Sequence, residues 1–191
     1  NGKIIFCGSG ATGCINRLQQ IIGLNLSPAT RKRFIELFHV YCNRFCSLEG
    51  VDIQENVFRN SLSSYKPVVF VGPYEHHSNE IMWRGIMCEV REIPLDSEGF
   101  LDLAEMERIV SDPEFRDRFK IGSFSAASNV SGIRTPVYEV AALLHKYNAL
   151  ACFDFAACAP YVEIDMNRDE NSYFDAIFIS AHKFIGGPGS S

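Results

Sequence analysis

Residues 120–155 read KIGSFSAASNVSGIRTPVYEVAALLHKYNALACFDF. Within this stretch Lys120–Ser125 is a compact apolar run of strand type. Pro136–Tyr147 follows with helical periodicity, with Thr135 placed to cap it and Pro136 at its first position, and Leu150–Phe155 is a second apolar strand. Strand, helix and strand in that order form a crossover between parallel neighbours. Outward from this unit, Lys3–Cys7, Val68–Gly72, Cys88–Ile93 and Ala176–Ser180 also read as strands, each bounded by Gly, Pro, Asn or Asp. Helical patterns separate them at Thr12–Gly23, Ala29–Ser47, Asn79–Gly85 and Leu101–Val110. The fold class expected is α/β: a three-layer arrangement of one mostly parallel sheet with helices on both faces, incomplete at both ends. Residues 27–65 interrupt the alternation and read as a helical insertion packed on one edge. Its apolar stripe (Phe34, Leu37, Phe38, Tyr41, Phe45) is expected to cover core or a partner subunit.

With 191 residues, 47% of them hydrophobic, the chain can build one sizeable core. Eighteen Lys and Arg against 23 Asp and Glu give a net charge of -5, and the basic residues are scattered. Such a surface cannot track a phosphate backbone, so nucleic acid is excluded as the main partner. The longest apolar runs, Pro67–Val71 and Leu150–Phe153, fall far short of the roughly 20 residues that span a bilayer, so no membrane partner is expected. A soluble, cytoplasmic protein is the expectation, with an organelle left open. Seven cysteines (Cys7, Cys14, Cys42, Cys46, Cys88, Cys152, Cys158) include no C-x-x-C pair and read as buried free thiols. Cys42 and Cys46 stand at i, i+4 without a second ligand pair, so no metal is expected. The start at Asn1 and the turn-like Gly-Pro-Gly-Ser-Ser end suggest an excerpt of a longer protein.

Five motifs fall where chemistry is expected. Gly8-Ser9-Gly10-Ala11-Thr12-Gly13 lies between an expected strand and an expected helix, and its small residues aim backbone N–H groups at an anion such as phosphate. It also fits G-x-G-x-x-G literally, but the acidic strand end that a dinucleotide fold needs about twenty positions on is missing. Tyr74-Glu75-His76-His77-Ser78-Asn79 follows one strand and Ser128-Asn129-Val130-Ser131-Gly132 another, at the edge where open sheets place ligands. Asp154 ends an apolar strand, where a carboxylate needs a cationic partner such as a pyridinium nitrogen, or else caps a helix. Ser180-Ala181-His182-Lys183 puts an amine after the last strand, where shielding from water would lower its pKa and suit it to Schiff-base chemistry. A phosphate cradle, a stacking ring, a carboxylate and an amine together match the needs of pyridoxal 5'-phosphate.

The succession Gly-Ser-Gly-Ala-Thr, Glu-His-His-Ser-Asn, Ser-Asn-Val-Ser-Gly, Asp-Phe-Ala-Ala and Ser-Ala-His-Lys-Phe resembles the class V aminotransferase family, in particular its cysteine desulfurase and selenocysteine lyase branch. By that resemblance Lys183 is the lysine that binds the cofactor, and His76 stacks on its ring and serves in acid–base steps. Asp154 is the partner of the pyridine nitrogen, Ala11, Thr12, Ser180 and His182 cradle the phosphate, and Asn129 lies near the 3'-oxygen. The resemblance implies the large domain of a type I pyridoxal-phosphate transferase over residues 1–191, without its smaller C-terminal domain. It also implies a homodimer, L-cysteine as the favoured amino-acid substrate, an enzyme persulfide and a sulfur-acceptor protein in iron–sulfur assembly. Other class V reactions, a dinucleotide-binding oxidoreductase and a catalytically silent scaffold are the alternatives. Asp154-Phe155-Ala156-Ala157 departs from the Asp-x-Ala-Gln that many desulfurases carry, and none of the seven cysteines is assigned the persulfide role.

Overall fold

The computed structural model describes residues 2–45 and 65–187, without the side chains of residues 39 and 41–45. The elements are α1 (Gly10–Ile21), α2 (Pro28–Phe45), β1 (Val68–Val71), α3 (His77–Arg84), β2 (Glu89–Glu92), α4 (Leu103–Val110), β3 (Lys120–Ser125), α5 (Val137–Lys146), β4 (Ala149–Asp154) and β5 (Ala176–Phe178). The five strands form one sheet in the order β2-β1-β3-β4-β5, every neighbouring pair parallel.

Alternation along the strands produces the three layers. Val68 and Phe70 of β1, Phe124 of β3, and Ala149, Ala151 and Phe153 of β4 point to one face, where Met106 and Val110 of α4 and Val140, Ala141 and Leu144 of α5 cover them. The intervening residues Val69, Val71, Ile121, Cys152 and Phe178 point to the other face, under Ala11 and Ile15 of α1 and Trp83 of α3. Gly122 has no side chain because α5 leaves no room: a Cβ there would lie 2.3 Å from Leu144 Cδ1. The bottom edge is closed by Lys120, whose buried ammonium donates to the carbonyls of Phe115 (2.9 Å), Arg116 (3.1 Å) and Arg118 (3.3 Å). Burial lowers its pKa.

Two expectations are corrected. Lys3–Cys7 is not a strand: it pairs with no neighbour among the described residues, and Ile4 and Phe6 are 87% and 96% exposed. Thr135 does not cap α5. Its hydroxyl donates to Ser125 O at 2.6 Å, and Pro136 takes the N-cap position without a side-chain hydrogen bond. Of the α2 stripe, expected to cover core or a partner subunit, Phe34 and Leu37 stand exposed in the single chain. The rest of the 27–65 insertion, with Cys42 and Cys46, has side chains outside the described residues. The other five cysteines are free, with Cys152 and Cys158 buried. No helix of the described residues is long and apolar enough to cross a membrane.

Candidate functional site

At the C-terminal edge of the sheet a cavity of about 240 Å³ is lined by Ala11, Thr12, His76, Asn129, Asp154, Ser180, His182 and Lys183, together with Ser9, Ser78, Ser125, Ala127, Ala156 and Ala157. All eight expected site residues therefore meet in one place. Four of the five motifs follow β1, β3, β4 and β5, as parallel crossovers require. The fifth reaches the site without a preceding strand, which removes the main structural support for the dinucleotide reading.

The α1 end is built by an unusual turn. Gly8, Ser9 and Gly10 all have φ between 55° and 61°, reversing the chain so that the first-turn N–H groups of α1 face the sheet edge. Ala11 N donates to Ser180 Oγ at 3.0 Å, tying this turn to the segment after β5. Gly10 is obligatory on a second count, because a Cβ would lie 2.8 Å from Ser180 Oγ and 3.1 Å from His182 Cε1.

Asp154 ends β4 on the α1 face, 5% exposed, with Oδ1 accepting from Ala156 N at 2.8 Å. Burial pushes its carboxyl upward, and the Ala156 N–H, the Lys183 ammonium and His76 pull it back. Lys183 corrects an expectation: it is exposed, not shielded, because it sits in a 3-10 turn (Ala181–Lys183) beyond the end of β5. Its amine borders the cavity from the open side. On the β3 side, Ser128 Oγ accepts from Val130 N and Ser131 N, both at 3.2 Å, and this turn presents Asn129.

His76 caps α3, its Nδ1 accepting from Ser78 N at 3.2 Å, so the capping and site readings of this histidine hold together. Directly before it, Glu75 locks β1 to β3. Its carboxylate accepts from Ser125 N (2.9 Å), Ser125 Oγ (2.7 Å), Asn79 Nδ2 (2.6 Å) and Gly72 N (3.1 Å). Burial pushes Glu75 up to about 7 against the pull of these donors. Ser125 and the clamping role of Glu75 were missed from sequence. A carboxylate next to the histidine pair was the available signal, but its partner on β3, Ser125, lies fifty residues away.

Comparison with known proteins places this geometry. Residues 51–191 match the family model described as aminotransferase class-V. A probable cysteine desulfurase of Halalkalibacterium halodurans is 30% identical over 125 residues, covering 63% of this chain and 29% of the relative. A cysteine desulfurase of Synechococcus elongatus is 32% identical over 119 residues, covering 60% of this chain and 18% of the relative. The chain thus spans under a third of the length of these curated relatives. Among solved structures, the apo cysteine desulfurase from Thermococcus onnurineus superposes with a TM-score of 0.52 at 24% identity, over 62% of this chain and 28% of that one. The NifS-like protein from Rickettsia africae gives 0.52 at 20% identity, over 66% and 33%. These likenesses establish the three-layer α/β fold.

Proposed function

This chain belongs to the aminotransferase class-V family, and on that premise we propose that the full-length protein is a pyridoxal 5'-phosphate-dependent cysteine desulfurase. It converts L-cysteine to L-alanine and leaves the sulfur on an enzyme thiol as a persulfide. The observation that carries this reading is the single cavity that joins Lys183, Asp154 and His76 to the N-terminus of α1. The donor set fits the cofactor: a carboxylate opposite an amine, with hydroxyls, a second histidine and a helix N-terminus at the remaining side.

When bound, the cofactor supplies an electron sink for the substrate α-carbon. The α1 N-terminus, Thr12, Ser180 and His182 would hold its phosphate, and Asn129 would reach its 3'-oxygen. Asp154, its Oδ1 fixed by Ala156 N, would keep the ring nitrogen protonated, and His76 would cover the ring. Lys183 Nζ is the amine that would hold the cofactor's aldehyde group and, once substrate is bound, would hold the proton taken from the substrate α-carbon. Its open position leaves the amine free to leave and return. The thiol that attacks substrate sulfur is proposed to lie outside the seven cysteines of this chain. Burial pushes Cys14 and Cys88 up to about 11, and Cys152 and Cys158 upward as well, which suppresses the nucleophilic thiolate. A homodimer, a sulfur-acceptor protein in iron–sulfur assembly and a cytoplasmic site of action complete the proposal.

The test is to add pyridoxal 5'-phosphate to the full-length protein, reduce with borohydride and map the pyridoxyl group, then assay alanine and sulfide from L-cysteine. The group is expected on Lys183, and Lys183→Ala is expected to lower turnover by about 10²–10⁴-fold. An intact protein that carries no pyridoxyl group on Lys183 sinks the cofactor reading. Turnover of another amino acid in place of L-cysteine sinks the desulfurase reading alone.

A further inference from the structure

Two thiols flank the α1 turn. Cys7 ends the exposed arm before it, Cys14 lies inside α1, and their side chains are in hydrogen-bond contact. Both are free and half-buried. The backbone holds them close, because the arm runs against α1 where only a glycine leaves room: a Cβ at Gly13 would lie 2.0 Å from Gly8 O and 3.1 Å from Cys7 O. Gly13 N also donates to Ser9 O at 3.4 Å, so the chain folds back on itself between the two cysteines. The segment they enclose contains the positive-φ residues Gly8, Ser9 and Gly10 and the cavity-lining residues Ala11 and Thr12.

The two sulfurs are not equivalent. Cys7 follows Phe6, which is 96% exposed, and its Sγ reaches Ile5 O at 3.6 Å on the open side of the arm. Cys14 packs beside Ala11 and Ile15 under the sheet, and burial, the Cys7 side chain and Asp154 push its thiol up to about 11. An outside reagent therefore meets Cys7 first, and Cys14 is the thiol placed to resolve the adduct.

We propose that Cys7 and Cys14 are a redox modification site, a dithiol that a small-molecule disulfide converts into a Cys7–Cys14 bridge enclosing the α1 turn. The Cys7 thiolate attacks one sulfur of the reagent R–S–S–R, whose S–S bond breaks. One RS⁻ leaves and takes up a proton, and Cys7 carries the other S–R group. Cys14 then gives up its proton, and its thiolate attacks the Cys7 sulfur and expels the second RS⁻. Two protein thiols are oxidised, and one disulfide is reduced to two thiols. The first step eases the second, since a capped Cys7 can no longer be charged and ceases to hold the proton on Cys14. The bridge restricts the backbone it encloses, so its redox state is felt at the cavity edge. None of this depends on the function proposed above.

The experiment incubates full-length protein with oxidised glutathione, blocks the remaining thiols with N-ethylmaleimide and digests with trypsin. Cleavage after Lys3 and Arg17 releases one peptide that holds Cys7 and Cys14 and no other cysteine. That peptide is expected to be lighter by two hydrogens, with neither maleimide nor glutathione attached, and a reductant is expected to restore both thiols. Cys14→Ser is expected to trap the first step as glutathione on Cys7, and Cys7→Ser to leave Cys14 free. In the bridged protein, amide exchange at residues 8–13 is expected to slow by about threefold or more. A wild-type peptide that keeps two maleimides, or stops at glutathione on one sulfur, overturns the bridge, and this reading needs no variant to fold. Glutathione on Cys14 in Cys7→Ser overturns the order of attack, and a bridge with unchanged exchange overturns its hold on the turn. A missing pyridoxyl mark on Lys183 counts against the proposed function instead and leaves the bridge untouched.

Discussion

Glu75 carries the clearest pH signature of any residue at the site. Its carboxyl rises from an ordinary 4.5 to about 7 in the folded protein because burial opposes its charge more than four donors favour it. The folded state therefore holds the proton more tightly than the unfolded chain does. Stability from this group is complete below pH 4.5 and is lost as pH rises through about 7. The expected loss is at most about 3 kcal/mol, reduced by whatever water reaches this half-buried group. Urea unfolding of the full-length protein across this window is expected to show a flatter pH dependence in Glu75→Gln than in the wild type. An equal slope in both would remove Glu75 as its source. At this scale the types of the site residues were legible, because amines, carboxylates and rings at strand ends have few other uses. The surroundings were not: shielding of Lys183 was inferred from its apolar neighbours in sequence, yet the turn after β5 leaves it open.

Elements were legible where both faces of a strand are buried. Lys120–Ser125 is buried at every position and its bounds agree with the sequence reading, although only Ile121 and Phe124 of its six residues are large and apolar. Lys3–Cys7 is more apolar still and pairs with no strand among the described residues, so composition alone misled. The α5–β3 contact is the tightest helix–sheet approach at a glycine. With Leu144 Cδ1 at 2.3 Å and Cδ2 at 2.7 Å from the place of a Cβ, Gly122→Ala is expected to cost about 1–3 kcal/mol by overpacking. Leu144→Ala removes the obstructing methyls, so the double variant is expected to be less destabilised than the sum of the two single changes. Strict additivity in a denaturation cycle would mean that the helix shifts freely to make room.

On the scale of the molecule, four parallel crossovers and one helix N-terminus bring together groups from residue 11 to residue 183. A ligand that binds only this assembled edge stabilises the folded state by mass action, by about 2.7 kcal/mol at a hundredfold excess over its Kd. Pyridoxal 5'-phosphate is accordingly expected to raise the unfolding midpoint of the full-length protein, and by less in Asp154→Ala. An unmoved midpoint in the wild type would speak against occupancy of this cavity. Sequence by itself determined the α/β class, the parallel crossover and the identity of eight residues that line the cavity, because periodicity and strand-end residue types are local properties of the chain. Only the tertiary structure decided that Glu75 clamps β1 to β3, that Ser180 ties down the α1 turn, and that Ser78 joins His76 to Thr12. Those bonds link positions 50, 169 and 66 residues apart, and hydrogen bonds of 2.7–3.0 Å between such positions exist only once the sheet has set its order and register.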